Sequence, residues 1–164
     1  MGAAEDLKKK IAAKIKEFEK KIQTPEVMKD IGYEATRRIV VRTRLGYGVE
    51  SEGGPRQKLA PLKDSTVKSR RKKPLSSLTS PKRSNLTETG QLLDMITWRI
   101  LNRSTIRIEP IGDRSDGESN ANVARYAHEG SSNRPKRPFL FLTDTETKGV
   151  ARFIRELLVK KLNR

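Results

Sequence analysis

The chain has 164 residues, 36 of them Lys or Arg against 20 Asp or Glu, for a net charge of +16, with one histidine and no cysteine. That length suits one ordinary domain with a single core; the missing cysteines exclude a disulfide framework and leave the reducing cytoplasm as the fitting compartment, and no apolar run approaches the ~20 residues that cross a bilayer. Leu, Ile, Val and Phe total 38 residues, only a little above the roughly 20% below which highly charged chains stay disordered, so a folded core with sizeable disordered segments is expected, and the charge calls for a polyanionic or acidic partner.

The opening stretch, MGAAEDLKKKIAAKIKEF, places acidic residues ahead of any apolar run, unlike a secretory leader. From Glu5 to Gln23, Leu7, Ile11, Ile15, Phe18 and Ile22 recur every three or four residues with lysines between them, which predicts an amphipathic helix whose stripe faces a core rather than a membrane. Thr24 and Pro25 supply an N-cap and a first-turn proline for a second helix, along which Val27, Ile31, Ala35 and Ile39 continue the stripe toward Arg44.

Residues 46–86 change character, with glycines, prolines and serines throughout, and read as a long loop interrupted by one short helical island at DSTVKSRRKK, capped by Asp64. Between Arg42 and Arg83 there are twelve basic and three acidic residues, so this stretch supplies nine of the sixteen net charges. A short helix over LTETGQLLDMI turns Leu92, Leu93 and Ile96 inward. The period then drops to two: Trp98 and Ile100, then Ile106 and Ile108, flank a turn at Asn102-Arg103-Ser104, the pattern of a hairpin. A polar loop over 112–122 precedes a brief helix carrying Val123, Tyr126 and Ala127. Thr143 and Glu146 have capping-box spacing ahead of a last helix with Val150, Phe153, Ile154, Leu157 and Leu158 inward and a basic end that suits its dipole. The predicted fold is α+β: a small antiparallel sheet packed by N-terminal and C-terminal helices, with a long projecting loop. Its segments are an N-terminal helical part (1–45), the basic loop or arm (46–86) and an α+β core (87–164) completed by the N-terminal helices.

Residues that could carry chemistry are few. His128 and Glu129 are adjacent, but the chain has no other histidine and no cysteine to complete a transition-metal site. Asp113, Asp116 and Glu118 miss the ligand pattern of an EF-hand and read as a solvated loop. No phosphate-cradling GxxxxGK and no nucleophile elbow is present, so neither catalysis nor a cofactor is expected. The basic groups Lys68, Arg70, Arg71, Lys72 and Lys73, with Lys82 and Arg83, are the candidate contacts to DNA or to an acidic protein. As a phosphate-binding arm over residues 56–83 they would give salt-sensitive, sequence-independent affinity. No aromatic residue lies between Gly48 and Thr97, so the stacking platform of single-strand binders is missing there.

KLAPLKDSTVKSRRKK, then LTETGQLLDMITWRI, then ARYAHEG, then RPKRPFLFL before an amphipathic C-terminal helix together resemble the tail-completion and virion-morphogenesis proteins of tailed bacteriophages. The matching residues are Pro61, Leu62, Thr66, Arg70, Leu86, Thr89, Gly90, Leu92, Tyr126, Ala127, His128, Gly130, Arg137, Pro138, Phe139 and Leu140, and the resemblance covers about residues 59–160. It implies a non-enzymatic virion protein at the neck or tail end, assembled in the host bacterial cytoplasm. Such proteins form a ring, commonly of six copies, for head-tail joining or tail completion. Its partners would be copies of itself, neighbouring neck, connector or tail-tube proteins, and DNA in the channel, with no membrane involved. The alternative is a small basic nucleic-acid-binding protein.

Within that resemblance, Tyr126, His128, Gly130, Pro138, Phe139 and Leu140 read as a structural joint. Gly130 ends a helix at positive φ, Pro135 and Pro138 stiffen the path, and Phe-Leu-Phe-Leu forms a strand buried on both faces. His128 is then a hydrogen-bonded packing residue. Leu59, Leu62, Leu75 and Leu78 are expected to anchor the loop of 46–86 in grooves of neighbouring subunits, with the loop ordering on assembly.

Overall fold

The computed structural model describes residues 23–72, 81–84, 86 and 90–162, together with the single positions Ala13, Lys16, Glu17 and Lys20. The helix expected over 5–23 falls largely outside the described residues, as do Lys73, Leu75 and Leu78. The chain is an α+β fold whose elements run α1 (Pro25–Arg44), β1 (Tyr47–Gly48), β2 (Gln57–Lys58), α2 (Asp64–Arg71), α3 (Gln91–Asp94), β3 (Ile96–Asn102), β4 (Thr105–Pro110), α4 (Asn120–Glu129) and α5 (Asp144–Leu162). Its strands form two separate antiparallel pairs, β1 with β2 and β3 with β4, where a single small sheet is predicted. No helix among the described residues is long and apolar enough to cross a membrane.

Helix α1 begins where its chemistry says it should, with Thr24 accepting from the Val27 amide and Pro25 in the first turn. Its stripe is internal: Val27, Ala35 and Ile39 are buried and Ile31 partly so. The face packs on the β3–β4 hairpin, in which Trp98 stands opposite Ile108 and Ile100 opposite Ile106. Gly32 explains how closely helix and sheet approach. A glycine inside a helix costs roughly 1 kcal/mol relative to alanine, but a Cβ here would lie 2.5 Å from the Trp98 ring. On the outer face Arg99 stands opposite Arg107 and pairs with Glu109 at 2.7 Å, which offsets the like-charge contact. The turn closes with Asn102 accepting from the Ser104 amide.

The core joins Ile39 of α1, Leu92 and Leu93 of α3, Ile96 of β3, Ala124 of α4, and Phe139, which no element contains. Ile96 is inward as expected but opens β3 instead of ending the preceding helix. Ser119 caps α4 by accepting from the Asn122 amide, and Gly130 ends it at φ 69°, a conformation that a side chain disfavours. The fully buried Asn120 donates to the carbonyls of Ile111 and Gly112 and so fastens α4 to the end of β4.

Residues 139–142 are not a strand, contrary to the sequence reading. They follow an irregular path that bends at Leu140 and Phe141, the Phe139 and Leu142 carbonyls accept from two different donors, Arg42 and Gly53, and Pro135 and Pro138 just before them lack the N–H groups a ladder needs. Phe139 is nevertheless fully buried, while Leu140 is partly so. We expect Phe139→Ala to destabilise the fold by about 3–5 kcal/mol in urea denaturation; a loss below about 1 kcal/mol would show that the ring is not a core element.

Candidate interaction surface around the 124–142 joint

The joint is built on a buried charge. Arg42, in the last turn of α1, is 3% exposed and donates to Glu146 of α5 and to the Phe139 carbonyl. Glu146 also completes the capping box, accepting from the Thr143 amide at 2.9 Å while Thr143 Oγ1 accepts from the Glu146 amide at 3.0 Å. One carboxylate thus caps α5 and neutralises the buried guanidinium. Burial pushes Arg42 below the ordinary arginine range, and the Glu146 charge opposes that shift.

The carbonyls of Pro138 and Leu142 accept from Val49 and Gly53. A Cβ on Gly48 would lie 2.1 Å from the Pro138 carbonyl oxygen, so a glycine is what lets the β1 segment approach. Arg137 fastens the other side. Its amide returns to the Ala127 carbonyl, and its guanidinium donates to the carbonyls of Ala60 and Pro61 and to Ser84 Oγ.

These contacts correct part of the loop reading. Leu59, expected in a neighbour's groove, is 7% exposed in its own subunit, its amide bonded to Gly46. The β1–β2 pairing and the Arg137 clamp hold it there. Leu62 is partly buried and faces a cleft. Arg70, expected to meet a partner, is 4% exposed and donates to the Arg83 carbonyl. Thr66 and Arg70 lie one turn apart on the inner face of α2, whereas Lys68, Arg71 and Lys72 are exposed on its outer face. Lys82 and Arg83 are exposed as expected.

The joint residues divide as well. Pro138 and Phe139 are buried, but the Tyr126 ring is 42% exposed with Arg125 over it, so Tyr126 does not lock the joint. The part-buried His128 packs edge-on against Phe141 at 5.2 Å between ring centres, an apolar contact in place of the expected hydrogen bond. Asp116 accepts from Arg114 and from the Glu118 amide, and so shapes its own turn.

Beside the joint lies a cleft of about 470 Å³. Its described walls carry Lys63, Arg70, Arg114, Arg134 and Arg137, with Asn133, Thr66 and Ser84 as neutral donors, and no Asp or Glu among them. Burial, and then the charge of Arg70, push the Arg137 guanidinium below its ordinary range. Arg114 went unnoticed in the sequence because it stands alone among acidic and small residues in a polar loop, and Arg134 because its basic run was read only as a joint. Comparison with protein-family models, curated proteins and solved structures finds no match to this chain.

We expect Glu146→Ala to cost about 3–5 kcal/mol by leaving a buried guanidinium without its counter-charge, and Glu146→Gln, which can still accept from Thr143, to cost less. Equal losses from the two variants in chemical denaturation would assign the whole effect to the lost counter-charge and none of it to the cap.

Proposed function

We propose that the protein is a non-enzymatic structural component of a tailed-phage virion, at the neck or tail end, assembling as a ring in head-tail joining or tail completion. The observation that carries this reading is the convergence of the segments on which the resemblance rests. Residues 59–62, the Leu92 helix, the 126–130 helix end and 137–140 are separate in sequence and meet around Arg137 and Phe139, with Arg137 bonded to Ala60 across 77 positions. Motifs that jointly build one scaffold fit a structural role better than a catalytic one. The β3–β4 pair adds a second support: among the described residues these strands pair only with each other, and a free strand edge is a ready site for a neighbouring copy.

Native mass spectrometry of the purified protein, alone and with phage connector and tail proteins, should give a fixed ring multiple of the subunit mass. A persistent monomer that binds no virion component overturns the reading.

The second reading is a small nucleic-acid-binding protein using residues 56–83 as a phosphate-binding arm. The outward set of Lys68, Arg71, Lys72, Lys82 and Arg83 favours it. Five phosphate contacts would give a log-affinity against log-salt slope of about −4 to −5 on duplex DNA. A flat slope removes this alternative.

A further inference from the structure

We infer that the cleft between α2 and the 131–137 turn is a binding site for phosphate oxyanions, held by Lys63, Asn133, Arg134 and Arg137 with Arg114 at its rim. This site is distinct from the exposed basic face of α2, and it stands whether or not the protein forms a ring.

The first ground is the mismatch between charge and partners. Arg137 spends its guanidinium on two carbonyls and a hydroxyl, acceptors that satisfy its hydrogen bonds without neutralising its charge. These bonds use Nε and Nη2 and leave Nη1 without a partner among the described residues. Arg134 and Lys63 are exposed on the cleft walls and form no ion pair with a described residue. Arg114 pairs weakly with Asp116 at 3.4 Å; Asp116 and Glu118 line the adjoining cleft that Arg114, Arg134 and Arg137 also border, and neither lines this one. Cations gathered in a concavity repel one another, and a multiply charged anion relieves that repulsion where water and salt do so only partly.

The second ground is geometry. Arg137 is fixed from both sides by its backbone bond to Ala127 and its side-chain bonds to Ala60, Pro61 and Ser84, so ordering it costs a ligand little. The 131–134 turn that presents Arg134 is closed by reciprocal backbone bonds between Ser131 and Arg134, at 2.8 and 3.1 Å. Guanidinium groups match phosphate oxygens through paired N–H donors. The neutral donors Asn133 and Thr66 complete a set suited to an acceptor with several oxygens. A carboxylate offers one charge and two oxygens and would leave most of these donors unused; a phosphate or diphosphate uses them.

The chemistry has two sources, the backbone of a nucleic acid and free phosphate, and one titration separates them. Pyrophosphate is titrated calorimetrically into the full chain in a low-salt, phosphate-free buffer. Saturable binding at one site per chain is expected, weakened about tenfold by Lys63→Gln and by Arg134→Gln, each of which removes one charge-assisted contact. The control Lys72→Gln, on the outer face of α2, should bind as the parent does. Thermal melts confirm that the exposed substitutions leave the fold in place. A 20-bp DNA duplex is then added: displacement of pyrophosphate identifies nucleic-acid phosphate as the source, and retention identifies free phosphate. Absence of saturable binding, or an equal loss in the Lys72→Gln control, overturns the site. Neither result depends on the oligomeric mass, so failure here is distinguishable from failure of the ring reading.

Discussion

The structure depends on the burial of one arginine. A guanidinium at 3% exposure is costly without a counter-charge and hydrogen bonds, and Arg42 finds both on two segments about a hundred positions away, Glu146 at the start of α5 and the carbonyl of Phe139, with only its Nε lacking a partner among the described residues. The same residue that accepts this bond places its ring at the centre of the core. Polar and apolar forces therefore fix the position of the 137–143 segment together. Arg42 also lies in the last turn of α1, where a cation complements the helix dipole. An apolar side chain of similar volume could fill the space equally well in energy. It could not select one carbonyl and one carboxylate, and so could not set the relative position of α1, the joint and α5.

What the sequence made legible were features whose cause is local. The α1 stripe, the Thr24 cap, the capping box at Thr143 and Glu146, the Asn102 turn and the period-two pairing of Trp98 with Ile108 all depend on residues a few positions apart, or on one short hairpin. Arg42 was invisible because a basic residue near a helix end looks like a solvated one until its partner, 104 positions on, is known. The four apolar residues 139–142 suggested a strand because composition records burial and not the direction of hydrogen bonds. The carbonyls of Phe139 and Leu142 instead accept from Arg42 and Gly53, and that of the preceding Pro138 from Val49. Arg70 could have been read correctly: Thr66 and Arg70 lie four residues apart, which places them on one helical face, yet the basic run around Arg70 masked the spacing.

The segment 46–86 is less an appendage than its composition suggests. Its first part is bonded along the joint through Val49, Gly53, Leu59 and the Arg137 clamp, and α2 turns one side inward. Glycine and proline here supply close approach and fixed carbonyls as well as turns. The expectation of a loop seated in neighbours' grooves rested on its shortage of large apolar groups. That accounting omitted the guanidinium groups, which here do the work that apolar side chains would otherwise do.

Charge then links the two functional readings. Arg42 and Arg70 belong to the group of twelve basic residues between 42 and 83, and both are consumed inside the fold. The remaining excess lies outside, on α2, at Lys82 and Arg83, and along the cleft. Copies carrying a net charge of +16 repel one another, and the repulsion grows as they are brought within a Debye length, about 8 Å at physiological ionic strength. Closing such copies into the proposed ring would be favoured by anions that enter with them, such as DNA or an acidic protein surface. A polyanion that binds the assembled state more tightly than the separated subunits shifts that equilibrium by mass action, and assembly in turn raises affinity for the polyanion by the same factor. On the proposed ring reading, assembly and anion binding would be two sides of one electrostatic balance, in which the basic surface of each subunit is offset by the polyanion it meets.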